Sequence, residues 1–139
     1  MKALIADDEA VLAEHLRSRL AALWPQLEIV GIAANGIEAK EMIEDLRPDV
    51  AFLDIRMPGL TGLEVVQALS EEARRACRLV FVTAYDEFAV QAFEREAVDY
   101  LLKPVSDDRL RATVERLQRA AVAPSATQTD DMLQRLQAL

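Results

Sequence analysis

The most constraining feature of this 139-residue chain is a repeated change in its apolar pattern. Short continuous apolar runs, which favour buried strands, alternate five times with apolar repeats at helical spacing. This alternation is typical of strand–helix units stacked around a parallel sheet. We therefore predict an α/β fold with a doubly wound, five-stranded parallel sheet in the order 2-1-3-4-5.

The same patterns locate the individual elements. Four leucines at helical spacing predict the inward face of a first helix, which ends at Trp24-Pro25. These leucines are Leu12, Leu16, Leu20 and Leu23. The predicted strands span residues 3–6, 28–33, 50–53, 79–83 and 98–102, and further helices are predicted over 37–46, around 63–69, after Asp86 and after Ser106.

Composition divides the chain into three parts. Residues 1–122 contain all five predicted strands and form one domain in our interpretation. Residues 123–129 are rich in Pro, Ser, Ala, Thr and Gln, which is typical of a linker. Residues 130–139 regain helical character, but a helix this short is marginal alone in water. We expect it to pack on something, to pair with a second copy, or to begin a segment absent from this chain.

Charge and cysteine content exclude several classes of protein. Sixteen basic residues against 24 acidic ones give a net charge of -8, and no basic patch is visible, so we do not expect these residues to bind nucleic acid themselves. The apolar run at the N-terminus is too short for a signal peptide or a membrane span. Cys77 has no partner for an internal disulfide. We predict a cytoplasmic protein with no membrane contact.

Three carboxylates and one ammonium stand at the ends of predicted strands. Asp7 and Asp8 follow the first strand, Asp54 the third and Lys103 the fifth, while Thr83 ends the fourth. Because the carboxyl ends of parallel strands meet at one edge of a sheet, these side chains should converge.

Such a cluster predicts metal and phosphoryl chemistry. Two unit charges 4 Å apart repel by about 4 kcal/mol at an effective dielectric of about 20, so clustered carboxylates need a cation. Hard oxygen ligands favour Mg²⁺ over Zn²⁺. With the metal bound, an oxygen of Asp54 is suited to attack a phosphoryl group, whose charge Lys103 and the metal would neutralise and to which Thr83 would donate its hydroxyl.

These residues resemble the receiver domain of two-component response regulators from about residue 2 to residue 121. The resemblance is carried by Asp7-Asp8-Glu9, by the run Asp54-Ile55-Arg56-Met57-Pro58-Gly59, by Thr83-Ala84 and by Lys103-Pro104. It implies a flavodoxin-like receiver fold. Within the family, segments 83–94 and 98–104 look most like the LytTR-type branch of transcription regulators.

The resemblance implies a role for each site residue. Asp54 would be the phosphoacceptor. Asp8 and Asp54 would hold Mg²⁺ directly with the backbone carbonyl of Arg56, and Asp7 would act through a metal-bound water. Lys103 would pair with the phosphoryl group.

The resemblance also implies a switch. Thr83 would move its hydroxyl toward the phosphoryl group while Tyr100 on the fifth strand turns inward, a shift between two populated packings. A cis peptide bond is implied before Pro104. The positions that would tune access to the phosphoryl group and its lifetime are Arg56, Ala84 and Tyr85.

The implied partners are a sensor histidine kinase and a second copy of the chain. The dimer would form through the fourth predicted helix, the fifth strand and the fifth predicted helix, where opposite charges could meet across a two-fold axis. The charged residues of this face are Glu94, Glu96, Asp99, Arg111, Arg116 and Arg119. DNA would be contacted only through an output domain that this chain does not contain.

Two other functions remain open from the residues. A magnesium phosphohydrolase with an aspartyl-phosphate intermediate would use two acids separated by one residue after its first strand, whereas Asp7 and Asp8 are adjacent. Such an enzyme would release many equivalents of phosphate per chain. A stand-alone phosphorelay shuttle would have no output domain, and the predicted linker at 123–129 disfavours it.

Overall fold

Five parallel strands form the sheet in the computed structural model, which describes residues 1–84 and 99–122. Their order is β2-β1-β3-β4-β5, so the predicted fold class and strand order are confirmed. The strands are β1 (Lys2–Ala6), β2 (Glu28–Ala33), β3 (Val50–Asp54), β4 (Arg78–Thr83) and β5 (Asp99–Leu102). The predicted helix after Asp86, the predicted linker and the predicted terminal helix lie outside the described residues.

Helices cover both faces of this sheet. They are α1 (Ala10–Leu23), α2 (Gly36–Leu46), α3 (Gly62–Ala68), α4 (Glu71–Ala76) and α5 (Asp107–Val122). Helices α1 and α5 share one apolar cluster with the sheet, and α2, α3 and α4 share the other. Within the two described ranges, no helix combines the length and apolarity that crossing a membrane requires.

The central strands supply both apolar clusters because their side chains alternate between the two faces. Phe52 on β3 packs in the cluster under α1 and α5, while Leu53 beside it packs in the cluster under α2 and α3. All five residues of β3 are buried. A parallel strand covered on both faces has to be apolar throughout, which is why the sequence shows a continuous run there.

Polar side chains cap the N-termini of α2 and α5. The Asn35 side chain accepts a hydrogen bond from the backbone N–H of Glu38 at 2.8 Å. Asn35 is therefore the N-cap of α2, and Gly36 is the first residue of that helix. Ser106 accepts from the N–H of Arg109 at 3.2 Å and begins α5, as predicted. At the other end of α2, Arg47 adopts a left-handed conformation with φ 48°.

The sequence analysis and the structure differ at two helices, α1 and α4. Leu12 is 37% exposed, so the buried face of α1 consists of Ala13, Leu16 and Leu20 instead of the leucines alone. Helix α4 was not predicted, because its six residues have no apolar stripe and bury only Ala73. Its signal is polar: Ser70 caps it by accepting from the N–H of Ala73 at 3.1 Å.

Close backbone packing holds the loop that follows Asp54, the last residue of β3. The N–H of Gly36 donates to the carbonyl of Pro58 at 3.0 Å, and a Cβ built on Gly36 would overlap the carbonyl oxygen of Leu60. A Cβ on Gly62 would lie 2.7 Å from the carbonyl oxygen of Asp54. The loop therefore lies directly against α2 and α3, with little freedom to shift.

We predict that Gly36→Ala lowers the free energy of unfolding by about 1–3 kcal/mol, because the added methyl group meets backbone that cannot move aside. This loss should exceed the gain in helix propensity from glycine to alanine. Gly31→Ala is the control, since its methyl group would overlap the flexible tip of the Met42 side chain and would lie at an ordinary contact distance of 3.4 Å from Leu4 Cδ1. Urea denaturation measures both variants, and equal losses would contradict the loop contact as the cause.

Candidate functional site

The carboxyl ends of β1, β3, β4 and β5 meet at one edge of the sheet, where they enclose a cavity of about 330 Å³. Asp54 is the last residue of β3 and Thr83 the last of β4, while Asp8 and Lys103 follow β1 and β5. Asp8, Asp54, Thr83 and Lys103 are thus brought together, as predicted. The cavity is lined by Asp8, Glu9, Asp54, Arg56, Thr83, Ala84 and Lys103.

Lys103 joins two buried carboxylates. Its Nζ lies 2.9 Å from Oδ2 of Asp7 and 2.9 Å from Oδ2 of Asp54. The side chains of these aspartates are 7% and 5% exposed, and that of Lys103 is 14% exposed. Water therefore screens these ion pairs weakly, and the charge-assisted hydrogen bonds hold the three groups in a fixed arrangement.

The second oxygen of each buried carboxylate is held by the backbone. Oδ1 of Asp7 accepts from the N–H of Glu9 at 2.9 Å, and Oδ1 of Asp54 accepts from the N–H of Arg56 at 3.2 Å. Both carboxylates are oriented at both oxygens. Each carboxylate oxygen has two lone pairs, so Asp7 and Asp54 can bind a further ligand without losing these hydrogen bonds.

Burial sets the acidity of the two central groups. Desolvation raises the pKa of Asp54, and the hydrogen bond and charge of Lys103 offset this only in part, while the nearby charge of Asp7 raises the pKa further. Burial alone would lower the pKa of Lys103, but its hydrogen bonds to Asp7 and Asp54 outweigh that effect and raise the pKa. Lys103 is therefore charged at neutral pH. A second cation would further stabilise the ionised carboxylate of Asp54.

A metal ion fits this arrangement. Carboxylate oxygens of Asp7, Asp8 and Asp54 all lie within 4.8 Å of one another, and the exposed Asp8 opens toward solvent. With all three ionised, one ammonium leaves two negative charges uncompensated. Three hard oxygen donors with open space beside them suit Mg²⁺, which usually keeps waters and takes few protein ligands.

Thr83 and the peptide before Pro104 complete the edge of the cavity. Thr83 is 1% exposed, and its carbonyl accepts from the N–H of Lys103 at 2.7 Å, which ties the ends of β4 and β5 together. The peptide bond between Lys103 and Pro104 is cis. Ala84 is exposed at the cavity mouth. Tyr85, a predicted tuning residue, lies outside the described residues.

One predicted site residue lies away from the cavity, and one residue that was not predicted lines it. Tyr100 does not line the acidic cavity; it is partly buried beside a separate groove with Arg109. Glu9 is not among the predicted site residues, yet it lines the cavity. Its position directly after Asp7 and Asp8 is the signal that could have identified it.

Asp99 was predicted to face a second copy, but the structure pairs it within its own chain. Its carboxylate lies 2.6 Å from Arg109 and 3.1 Å from Arg116. Sequence reasoning missed these contacts. The available signal was an acid within an apolar strand, followed by Arg109, Thr113 and Arg116 at spacings that share one helix face.

Known proteins are similar to this chain in sequence and in fold. Residues 3–115 match the response regulator receiver domain family. An uncharacterized response regulatory protein of Vibrio cholerae is 53% identical over 126 residues, which cover 88% of this chain and 48% of the relative. The transcriptional regulatory protein BtsR of Escherichia coli is 47% identical over 119 residues, covering 86% and 48%. The chain thus spans about half the length of these curated relatives.

Solved structures agree with this match. The receiver domain of AraT, a response regulator from Geobacillus stearothermophilus, is 37% identical, with a TM-score of 0.75 over 86% of this chain and 94% of that chain. The response regulatory domain of MrkE from Klebsiella pneumoniae is 33% identical, with a TM-score of 0.74 over 86% and 97%.

We predict that Asp54→Asn increases the free energy of unfolding at pH 7 in metal-free buffer. The pKa of Asp54 lies above its ordinary value in the folded chain, so its contribution to stability is present at low pH and is lost as the pH rises through that pKa. The neutral amide avoids this loss. The advantage should therefore vanish at about pH 3, below the usual pKa of an aspartate.

Urea denaturation from pH 3 to pH 8 measures this difference. Asp45→Asn, on the exposed side of α2, is the matched control for removing one negative charge. A variant at position 54 that is no more stable than the parent at pH 7, or a gain independent of pH, would contradict the electrostatic origin.

Proposed function

The chain belongs to the response regulator receiver domain family, and on that premise we propose that it is a phosphoacceptor switch, in which Asp54 takes a phosphoryl group from a sensor histidine kinase. The observation that carries this proposal is the position of Asp54. Its carboxylate lies at a cavity between Lys103 and two other aspartates, at the edge where the parallel strands end. Receiver domains act in two-component signalling, so this is a signalling protein.

The phosphoryl transfer uses Asp54 as a nucleophile. One carboxylate oxygen attacks phosphorus, a P–O bond forms, and the P–N bond to the kinase histidine breaks as imidazole leaves. The hydrogen bond from Arg56 N–H and the ion pair with Lys103 hold the attacking group in place. Because burial raises the pKa of Asp54, its ionised, reactive form depends on the Lys103 ammonium and on the hydrogen bond from Arg56 N–H.

Mg²⁺ would be held by Asp8, by Asp54 and by the backbone carbonyl of Arg56, with Asp7 acting through a water. When bound, it would neutralise the carboxylates and the equatorial phosphoryl oxygens. The close approach of the three acidic side chains supports this assignment. Lys103 already contacts Asp54, so its ammonium is within reach of a phosphoryl group attached there.

The chain would catalyse only its own phosphorylation and dephosphorylation. The residues that would set the lifetime of the phosphoryl group are Arg56, Ala84 and Tyr85.

The switch would involve Thr83 and Tyr100. In this proposal the Thr83 hydroxyl bonds the phosphoryl group and Tyr100 turns inward. Moving a population from 1:99 to 99:1 requires a preference of roughly 5.5 kcal/mol for the second state. Two or three charge-assisted hydrogen bonds of about 1.5–3 kcal/mol each would supply it.

The output would be transcriptional control of the LytTR type. The name of BtsR, a transcriptional regulatory protein about twice as long as the matched segment, supports a regulator with a further domain. We propose that residues 123–129 link the receiver to that domain, which alone would contact DNA in the cytoplasm. Homodimers would form through the predicted helix after Asp86 together with β5 and α5. Arg116 pairs with the buried Asp99, whereas Arg111 pairs with the exposed Asp108 and Arg119 is itself exposed, so Arg111 and Arg119 are the stronger candidates for contacts across the dimer axis.

Asp54→Asn should abolish labelling by acetyl phosphate and Mg²⁺, because the amide is not a nucleophile. Intact-mass spectrometry measures the gain of one phosphoryl group in the parent. Asp45→Asn should label as the parent does. Persistent labelling of the position-54 variant would overturn the assignment of the phosphoacceptor.

Lys103→Ala should impair switching more than metal binding, because the ammonium is proposed to bind the phosphoryl group while the carboxylates bind the metal. Mg²⁺ titration of the parent and the variant measures metal binding. Sedimentation with and without a phosphoryl mimic measures switching. The proposed role of Lys103 would be wrong if the variant dimerised in response to the mimic as the parent does.

A further inference from the structure

Asp99 is a buried carboxylate that the proposed phosphoryl chemistry does not use. It begins β5, at the opposite end of that strand from Lys103, and its side chain is 2% exposed. Among the described residues four donor groups surround it: the N–H of Tyr100 at 2.8 Å, Arg109 Nη2 at 2.6 Å, Thr113 Oγ1 at 2.7 Å and Arg116 Nη1 at 3.1 Å.

Three of these donors come from one face of α5. Arg109, Thr113 and Arg116 are spaced by four and three residues, so they lie one above another on the helix. On this desolvated carboxylate, Arg109 makes a short, charge-assisted hydrogen bond and Arg116 adds an ion pair. The network therefore attaches α5 to the start of β5 and leaves the Arg109 side chain little freedom.

Arg109 in turn contacts Tyr100 in two places. Its Nη2 donates to the Tyr100 carbonyl at 3.0 Å, and its guanidinium carbon lies 5.6 Å from the centre of the Tyr100 ring, within the range of a cation–π contact. Both residues line a groove of about 300 Å³. Tyr100 also packs against the apolar cluster under α2 and α3, so the contact with Arg109 adds to this packing in setting the orientation of the ring.

We propose that Arg109, anchored by Asp99, is a positioning residue that holds the Tyr100 ring in the arrangement seen here. Inward rotation of the ring would break its contact with the guanidinium, so this contact favours the resting state. The inference rests on the proposed function, because it assumes that Tyr100 changes position on phosphorylation of Asp54. Removing the guanidinium should raise the population of the inward state about two- to five-fold without any phosphoryl group.

The test is ¹⁹F NMR of the full chain labelled with fluorotyrosine. The chain has two tyrosines, and Tyr85→Phe assigns the signal of Tyr100. Beryllofluoride with Mg²⁺ serves as the phosphoryl mimic and defines the signal of the switched state. In Arg109→Gln without the mimic, the Tyr100 signal should shift part of the way toward that position, and Arg109→Lys, which keeps a cation, should restore most of the parent signal.

Matched measurements separate positioning from a general structural effect. Arg111→Gln removes the same charge two residues further along α5, where the arginine pairs with the exposed Asp108, and it should leave the Tyr100 signal unchanged. Mg²⁺ affinity should match the parent in both glutamine variants, because neither arginine lines the acidic cavity.

Three outcomes would overturn the inference. The first is a Tyr100 signal in Arg109→Gln that stays at the parent position or moves away from the switched state, while the parent responds to beryllofluoride. The second is an equal shift in Arg111→Gln. The third is a parent whose Tyr100 signal does not respond to beryllofluoride, which would overturn the proposed switch as well and so differs from the first two.

Discussion

The shared contact of one ammonium with two buried carboxylates is the interaction on which the site depends. Lys103 lies 2.9 Å from both Asp7 and Asp54, and without it these acids would repel each other in a poorly solvated cavity. One positive charge does not balance three acids. The remaining negative charge makes the site receptive to a divalent cation. Burial raises the pKa of Asp54, and the nearby charge of Asp7 raises it further.

The fold creates this imbalance by bringing strand ends together. In a parallel sheet all carboxyl ends lie at one edge, so residues distant in the chain become neighbours there. The two apolar clusters keep the central strands rigid, and contact between Gly36 and the loop after β3 holds that loop close to α2. A rigid base of this kind allows charged groups to stay close despite their repulsion.

Sequence patterns predicted the strands well because a parallel strand buried on both faces must be apolar along its whole length. The run at 50–53 became β3, with Asp54 at its end. The same reasoning failed for α4, whose short polar sequence carries no apolar stripe, and for Leu12, which lies outside the buried face of α1. It also assigned Asp99 to an interface, although α5 supplies its partners within the chain.

The sequence by itself determined the fold class, the order of the elements and the residue types at the strand ends, since these follow from local hydrophobic periodicity and from the convergence of parallel strands. Only the tertiary structure decided which groups bind one another. Lys103 pairs with Asp7 as well as Asp54, and Arg109 joins Asp99 to Tyr100. Such pairings depend on distances of a few ångströms between separate elements, and periodicity along a chain contains no information about those distances.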